Sequence, residues 1–142
     1  MKRFFSFILL LSLILSLCSC KDSKRYELMQ SAENIVSIKL VKKTSGIYEN
    51  NTDVKYDALY EVDDIKSFLS DFYDIEFNTY LFGDLPELGY GNAIRVEYKD
   101  GDVEYIGYDA QLKYAKGVKY NGSRNCSKSA FDSLFEKYIE TE

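Results

Sequence analysis

The chain has 142 residues, 46% of them hydrophobic and 29% charged, which is the size and balance of one folded domain and excludes fibrous and wholly disordered classes. It contains no His and no Trp against 13 Tyr and 9 Phe, so imidazole-dependent triads and His-ligated metal centres are excluded as well. The formal charge of -5, without a concentrated excess of Lys and Arg, is not the electrostatic footprint of a nucleic-acid binder.

In chain order, the first feature is an address. Lys2 and Arg3 precede an apolar run, residues 4–17, broken only by Ser6, Ser12 and Ser16. A basic start followed by such a run matches a secretory signal segment. As a helix rising about 1.5 Å per residue it reaches roughly 21 Å, short of a hydrocarbon core of about 30 Å. Leu17-Cys18-Ser19-Cys20 follows, then Lys21 and Asp22. This segment resembles the lipobox of bacterial lipoproteins, with Leu17 at the aliphatic position, Ser19 at the small position before the cut and Cys20 as the modified thiol. Cys18 at the middle position is a departure that the family tolerates. The resemblance implies that residues 1–19 are removed as a signal peptide. It also implies that Cys20 carries palmitate-type acyl chains, and that the protein is held on the extracytoplasmic face of the cell membrane or the outer membrane. The competing reading is an ordinary signal peptide cleaved near Ser19, with Cys20 left as a free thiol. On either reading Cys126 has no thiol cluster around it for zinc, and once Cys20 is acylated it has no disulfide partner, so it is expected to be a small core residue.

Residues 20–33 are polar and without sustained periodicity, and are expected to be the lipidated Cys and a flexible tether. A single α+β domain is expected over residues 34–142. Residues 35–41 are rich in β-branched side chains and predict a strand, with Ile38 and Leu40 on one face. Turn chemistry in residues 44–53 precedes a second strand in which Val54, Tyr56, Ala58, Tyr60 and Val62 alternate with polar residues, the hairpin partner of the first. Asp63 or Asp64 can cap a helix whose apolar residues Ile65, Phe68, Leu69 and Phe72 fall at i, i+3, i+4 and i+7. Ile75, Phe77, Thr79 and Leu81 return to period two, and a loop over residues 83–91 holds the single Pro, Pro86.

Residues 92–109 predict a hairpin. With Asp100-Gly101 as a two-residue turn, Tyr98 faces Val103, Val96 faces Tyr105 and Ile94 faces Gly107. That register leaves Arg95, Glu97, Lys99, Asp102 and Glu104 on the solvent side, with Ile106 as the exception. Residues 111–120 predict one strand or a hairpin around Gly117. Ser127 or Ser129 can cap the last helix, whose stripe of Phe131, Leu134, Phe135, Tyr138 and Ile139 has helical spacing and reads as core. The expected architecture is a single antiparallel β-sheet with two amphipathic helices packed on one face.

Charge is unevenly distributed. Between Glu49 and Asp109 there are sixteen acids and four bases, whereas the segments on either side are net basic. Basic flanks can lean on anionic lipid or wall polymer, and solvated faces explain the same counts. Asp100, Asp102 and Glu104 lack the twelve-residue ligand ladder of a calcium loop, and the same objection applies to Asp63, Asp64, Asp71 and Asp74. No carboxylate pair is singled out by spacing or setting as the acid and base of a glycosidase. No catalytic residue, metal ligand or cofactor is assigned. Binding candidates are Tyr80 and Tyr90 around the Pro86 loop, and Tyr114, Lys116, Lys119 and Tyr120, where Tyr and Lys interleave; Tyr offers large contact area with a polar tip. The expectation is a lipid-anchored binding or interaction domain of the bacterial envelope, attached to the membrane through Cys20, with an envelope protein or wall polymer as partner and no nucleic acid. The alternatives are a hydrolase built on carboxylates alone and an inhibitor or immunity-type lipoprotein.

Overall fold

The computed structural model describes residues 25–44, 55–79, 91–122 and 124–139, and the fold is mixed α and β with antiparallel pairing throughout. A short 3-10 turn, Ala32–Asn34, leads into β1 (Ile35–Lys43), followed by β2 (Tyr56–Glu61), α1 (Ile65–Tyr73), β3 (Phe77–Thr79), β4 (Gly91–Tyr98), β5 (Val103–Ile106), β6 (Gln111–Ala115), β7 (Val118–Gly122), β8 (Arg124–Cys126) and α2 (Lys128–Ile139). Six strands form one sheet in the order β2-β1-β4-β5-β6-β7, and β3 pairs with β8 in a separate two-stranded sheet. The expected single sheet is therefore corrected to two. Thr79, the last described residue of β3, lies opposite Arg124, so this ribbon forms beside the main sheet and does not extend it.

Both helices face the same core. Phe68, Leu69 and Phe72 of α1 and Phe131, Leu134 and Phe135 of α2 share one apolar cluster with Ile38, Leu40, Ile94, Val96 and Ile106 of the main sheet. The helix ends follow from local chemistry: the Asp64 carboxylate accepts the Ser67 amide at 3.0 Å, satisfying a donor that the first turn of α1 leaves free. At α2 the Ser127 carbonyl accepts the Phe131 amide at 3.1 Å, which places Ser127 at the cap. Asp71 is a clamp between helices, since its Oδ2 accepts the Tyr138 hydroxyl at 2.6 Å and the Lys137 ammonium at 2.7 Å. Those two hydrogen bonds hold its carboxyl below the usual range. Cys126 is buried opposite Phe77, and burial, with the Asp109 charge second, pushes its thiol up to about 12.

The β4–β5 register differs from the one expected. Ile94 pairs with Ile106, Arg95 with Tyr105, Val96 with Glu104 and Glu97 with Val103. The turn holds three residues, Lys99, Asp100 and Gly101: the Gly101 amide bonds the Tyr98 carbonyl and the Tyr98 amide bonds the Asp102 carbonyl, both at 3.0 Å. Gly101 alone takes the left-handed conformation there, with φ 86°, which is a type I turn closed by a glycine bulge. A slip of one residue sends every side chain of β5 to the other face. Ile106 thereby joins the core and takes Glu104 with it. A two-residue turn lies instead between β6 and β7, which resolves residues 111–120 as a hairpin: Ala115 pairs with Val118, and Lys116 and Gly117 take φ 50° and 77°.

Two bulges correct the alternation elsewhere. Leu40 lies opposite Tyr60 and Val41 opposite Ala58, so Leu59 is an extra residue. Tyr56 and Tyr60 consequently end on opposite faces, Tyr56 against Tyr105 with rings 6.1 Å apart and Tyr60 against Tyr138 at 6.2 Å. In β1 the register shifts between Ile35 and Ser37, which leaves Val36 extra, and both extra residues are exposed.

The turn makes a direct prediction. A Cβ at Gly101 meets nothing within 4 Å, so Gly101→Ala carries only the left-handed backbone penalty and should cost about 1–2 kcal/mol in urea unfolding. In NMR spectra the Cα protons of Arg95 and Tyr105, a non-hydrogen-bonded pair, should show a close cross-strand contact; one between Val96 and Tyr105 in its place would restore the two-residue turn.

Candidate functional site

Glu104 is fully buried at the centre of β5, beneath residues 25–31, which cross the helix-bearing face of the sheet. A carboxylate offers about four lone-pair positions, and here four donors fill them. The Tyr26 hydroxyl donates to Oε1 at 2.6 Å, and the Lys113 ammonium lies 3.1 Å from the same oxygen. The Tyr98 hydroxyl donates to Oε2 at 2.8 Å and the Met29 amide donates to it at 3.0 Å. The Tyr26 ring packs at 4.9 Å from Phe77 and 5.6 Å from Phe72, and Lys113 Nζ stands 5.5 Å from its centroid. Burial first, and the Glu104 charge second, push the phenols of Tyr26 and Tyr98 well above their ordinary value of 10.0. The N-terminal segment is thus buttoned into the sheet from Tyr26, eight residues ahead of the expected domain start at Asn34, through residues that composition assigned to a tether.

Further along the same segment, Gln30 Nε2 donates to Asp100 Oδ2 at 2.8 Å and to Asp102 Oδ2 at 3.2 Å. Asp100 Oδ1 accepts the Asp102 amide at 3.1 Å, and Asp102 Oδ1 accepts the Lys116 amide at 2.9 Å. These two carboxylates serve the turns. Across the sheet, the buried Gln111 side chain imitates a strand: its Nε2 donates to the Arg124 carbonyl at 2.6 Å and its Oε1 accepts the Arg124 amide at 2.9 Å, joining the main sheet to β8. Gly122 lies so near that an added Cβ would stand 2.7 Å from Gln111 Cβ. Between this junction and the N-terminal segment is a cleft of about 240 Å³ lined by Tyr26, Glu27, Gln111, Lys113, Asn121, Gly122 and Arg124.

Of the expected binding residues, Tyr114, Lys116, Lys119 and Tyr120 do meet on one hairpin, β6–β7. Tyr114 and Tyr120 divide between its two faces, because Tyr114 lies opposite Lys119 and Tyr120 opposite Lys113 in the register. Tyr120 and Val118 are 52% and 51% exposed on the outermost strand of the sheet, whereas the Tyr114 ring packs toward Tyr105 at 6.5 Å. Cys20, Tyr80 and Tyr90 lie outside the described residues. Sequence reasoning missed Tyr26, Tyr98, Glu104 and Gln111. The available signal was Ile106, the one apolar residue stranded on the supposed solvent face, which a shift of one residue repairs. Among the described residues no group of three or more His, Cys, Asp and Glu side chains could hold a metal ion, and no helix is long and apolar enough to cross a membrane.

Comparison of the chain with protein-family models, with curated proteins and with solved structures finds no match.

Removing Glu104 would leave a cation and two phenols facing a dry space, so Glu104→Ala should cost about 3 kcal/mol or more in chemical denaturation. Tyr26→Phe keeps the ring and loses one bond to a charged acceptor, at about 2 kcal/mol, with faster hydrogen exchange at the Met29 amide. The raised phenols also fix a pH dependence. A folded-state pKa above the unfolded value of 10.0 means that this contribution is complete below pH 10 and is lost as pH rises further. Circular dichroism should follow an alkaline unfolding transition that coincides with tyrosinate absorbance, and its pH dependence should be shallower in Tyr98→Phe.

Proposed function

We propose that this protein is a lipid-anchored, extracytoplasmic binding or interaction domain of the bacterial cell envelope. The observation that carries the reading is the N-terminal segment: Lys2 and Arg3, the apolar run and Leu17-Cys18-Ser19-Cys20 agree in charge, length and order. Two or more acyl chains on Cys20 give stable attachment where one chain is marginal. Binding is favoured over hydrolysis by how the carboxylates are used. A glycosidase needs one carboxyl free to donate a proton and another free to attack or to activate water. Glu104 has both oxygens engaged by four protein donors, Asp71 joins two helices, and Asp100 and Asp102 hold turns. The surface offered to a partner is the outer edge of the β6–β7 hairpin, where Val118 and Tyr120 stand exposed beside Lys116.

Mass spectrometry of the protein purified from membranes tests the anchor. The expected mature chain begins at Cys20 with its thiol acylated, and Cys20→Ser should keep the signal segment and lose the lipid. A retained Met1, or an unmodified Cys20 at the N-terminus, would overturn the reading. Crosslinking in intact cells should then capture an envelope component through a photo-reactive residue at Tyr120 and not through one at Lys39 on the opposite face of the sheet.

A further inference from the structure

The Tyr26–Glu104 button sets how far the folded domain can stand from its anchor. This rests on acylation of Cys20. Between Cys20 and Tyr26 there are only five residues, 21–25. Six Cα steps at full extension reach roughly 21 Å at most. Were the chain free up to Asn34, the extended reach would be about 49 Å. A domain of this size has a radius of gyration near 13 Å, so the shorter leash is too short to let it turn freely above a bilayer. Arg25 is fixed as well, with its guanidinium 3.8 Å from the Tyr73 ring centroid, so the leash leaves the domain at one defined place.

We propose that the button lays the face around the N-terminal segment on the lipid headgroups, with Arg25, Lys113 and Arg124 toward the bilayer. The chemistry there suits an anionic surface. Lys113 and Arg124 line the cleft beside Tyr26 against one acid, Glu27. Tyr120, opposite Lys113 in the register and half exposed, brings an aromatic ring with a polar tip, which favours the headgroup region. Lys113 keeps its bond to Glu104 while its side chain remains partly exposed, so it can serve both the button and the membrane. The outer sheet face, with Lys39 paired to Glu61, is then turned away from the bilayer.

Lysine acylation of the full chain in isolated cell membranes tests this. The native leash is compared with a variant carrying about fifteen Gly and Ser residues inserted between Asp22 and Ser23, enough to free the domain without touching its fold. Lys113 should be acylated at least about threefold faster in the long-leash variant, with Lys39 reacting equally in both. Equal rates at Lys113 would overturn the membrane-facing orientation while leaving the anchor standing. Recovery of the native protein in the soluble fraction would overturn the anchor, and the orientation with it.

Discussion

A carboxylate taken out of water must have its hydration replaced, and in this fold one buried carboxylate organises the elements around it. The penalty for desolvating such an ion is several kcal/mol, so Glu104 can lie inside only because four donors converge on it. They come from three separate parts of the chain: Tyr26 and Met29 from the N-terminal segment, Tyr98 from β4 and Lys113 from β6. Loss of any one leaves the remainder facing a charge without solvent. The N-terminal segment, which makes no strand and little helix, is ordered by this demand more than by any propensity of its own.

The same carboxylate depends on a three-residue turn. Asp100-Gly101 can close a hairpin as a two-residue loop or, with Lys99, as a three-residue loop, and the two differ by one residue of register. With the shorter loop Glu104 would point away from the helices and Tyr105 would enter the core. The longer loop places Ile106 beside Ile94 and lets Tyr105 join Tyr56 and Arg95 on the other face, with Arg95 also bonded to Glu97 at 2.7 Å. Asp102 and Gln30 stabilise this choice by linking the turn to the N-terminal segment and to the β6–β7 turn. Turn type, register and buried charge therefore form one cooperative choice.

Under the proposed acylation of Cys20, a domain fastened at Tyr26 would have a short leash, and a short leash would convert the anchor from a simple attachment into a restraint on orientation. The exposed edge of β7, bearing Val118 and Tyr120, would then sit close to the membrane surface, where a partner in the same membrane or at its surface is easier to reach than one far across the envelope.

Some of this was written in local order along the chain. The stripes Ile65-Phe68-Leu69-Phe72 and Phe131-Leu134-Phe135 specify two helices with one buried face each, because a 3.6-residue period has a single solution for which side is apolar. The absence of His is likewise a property of the sequence alone, as are the basic start and apolar run that resemble a lipoprotein signal. Strand alternation is weaker, because period two reads equally well in either register until something outside the strand decides. Glu104 bonds a tyrosine 78 residues away, and Leu59 and Val36 became bulges through the pairing of β1 with its neighbours. Those contacts exist only once the chain has closed on itself. Tertiary structure alone therefore decided which charge is buried and that the chain is fastened at Tyr26, since the free energy of an ion depends on everything around it and not on its neighbours in sequence.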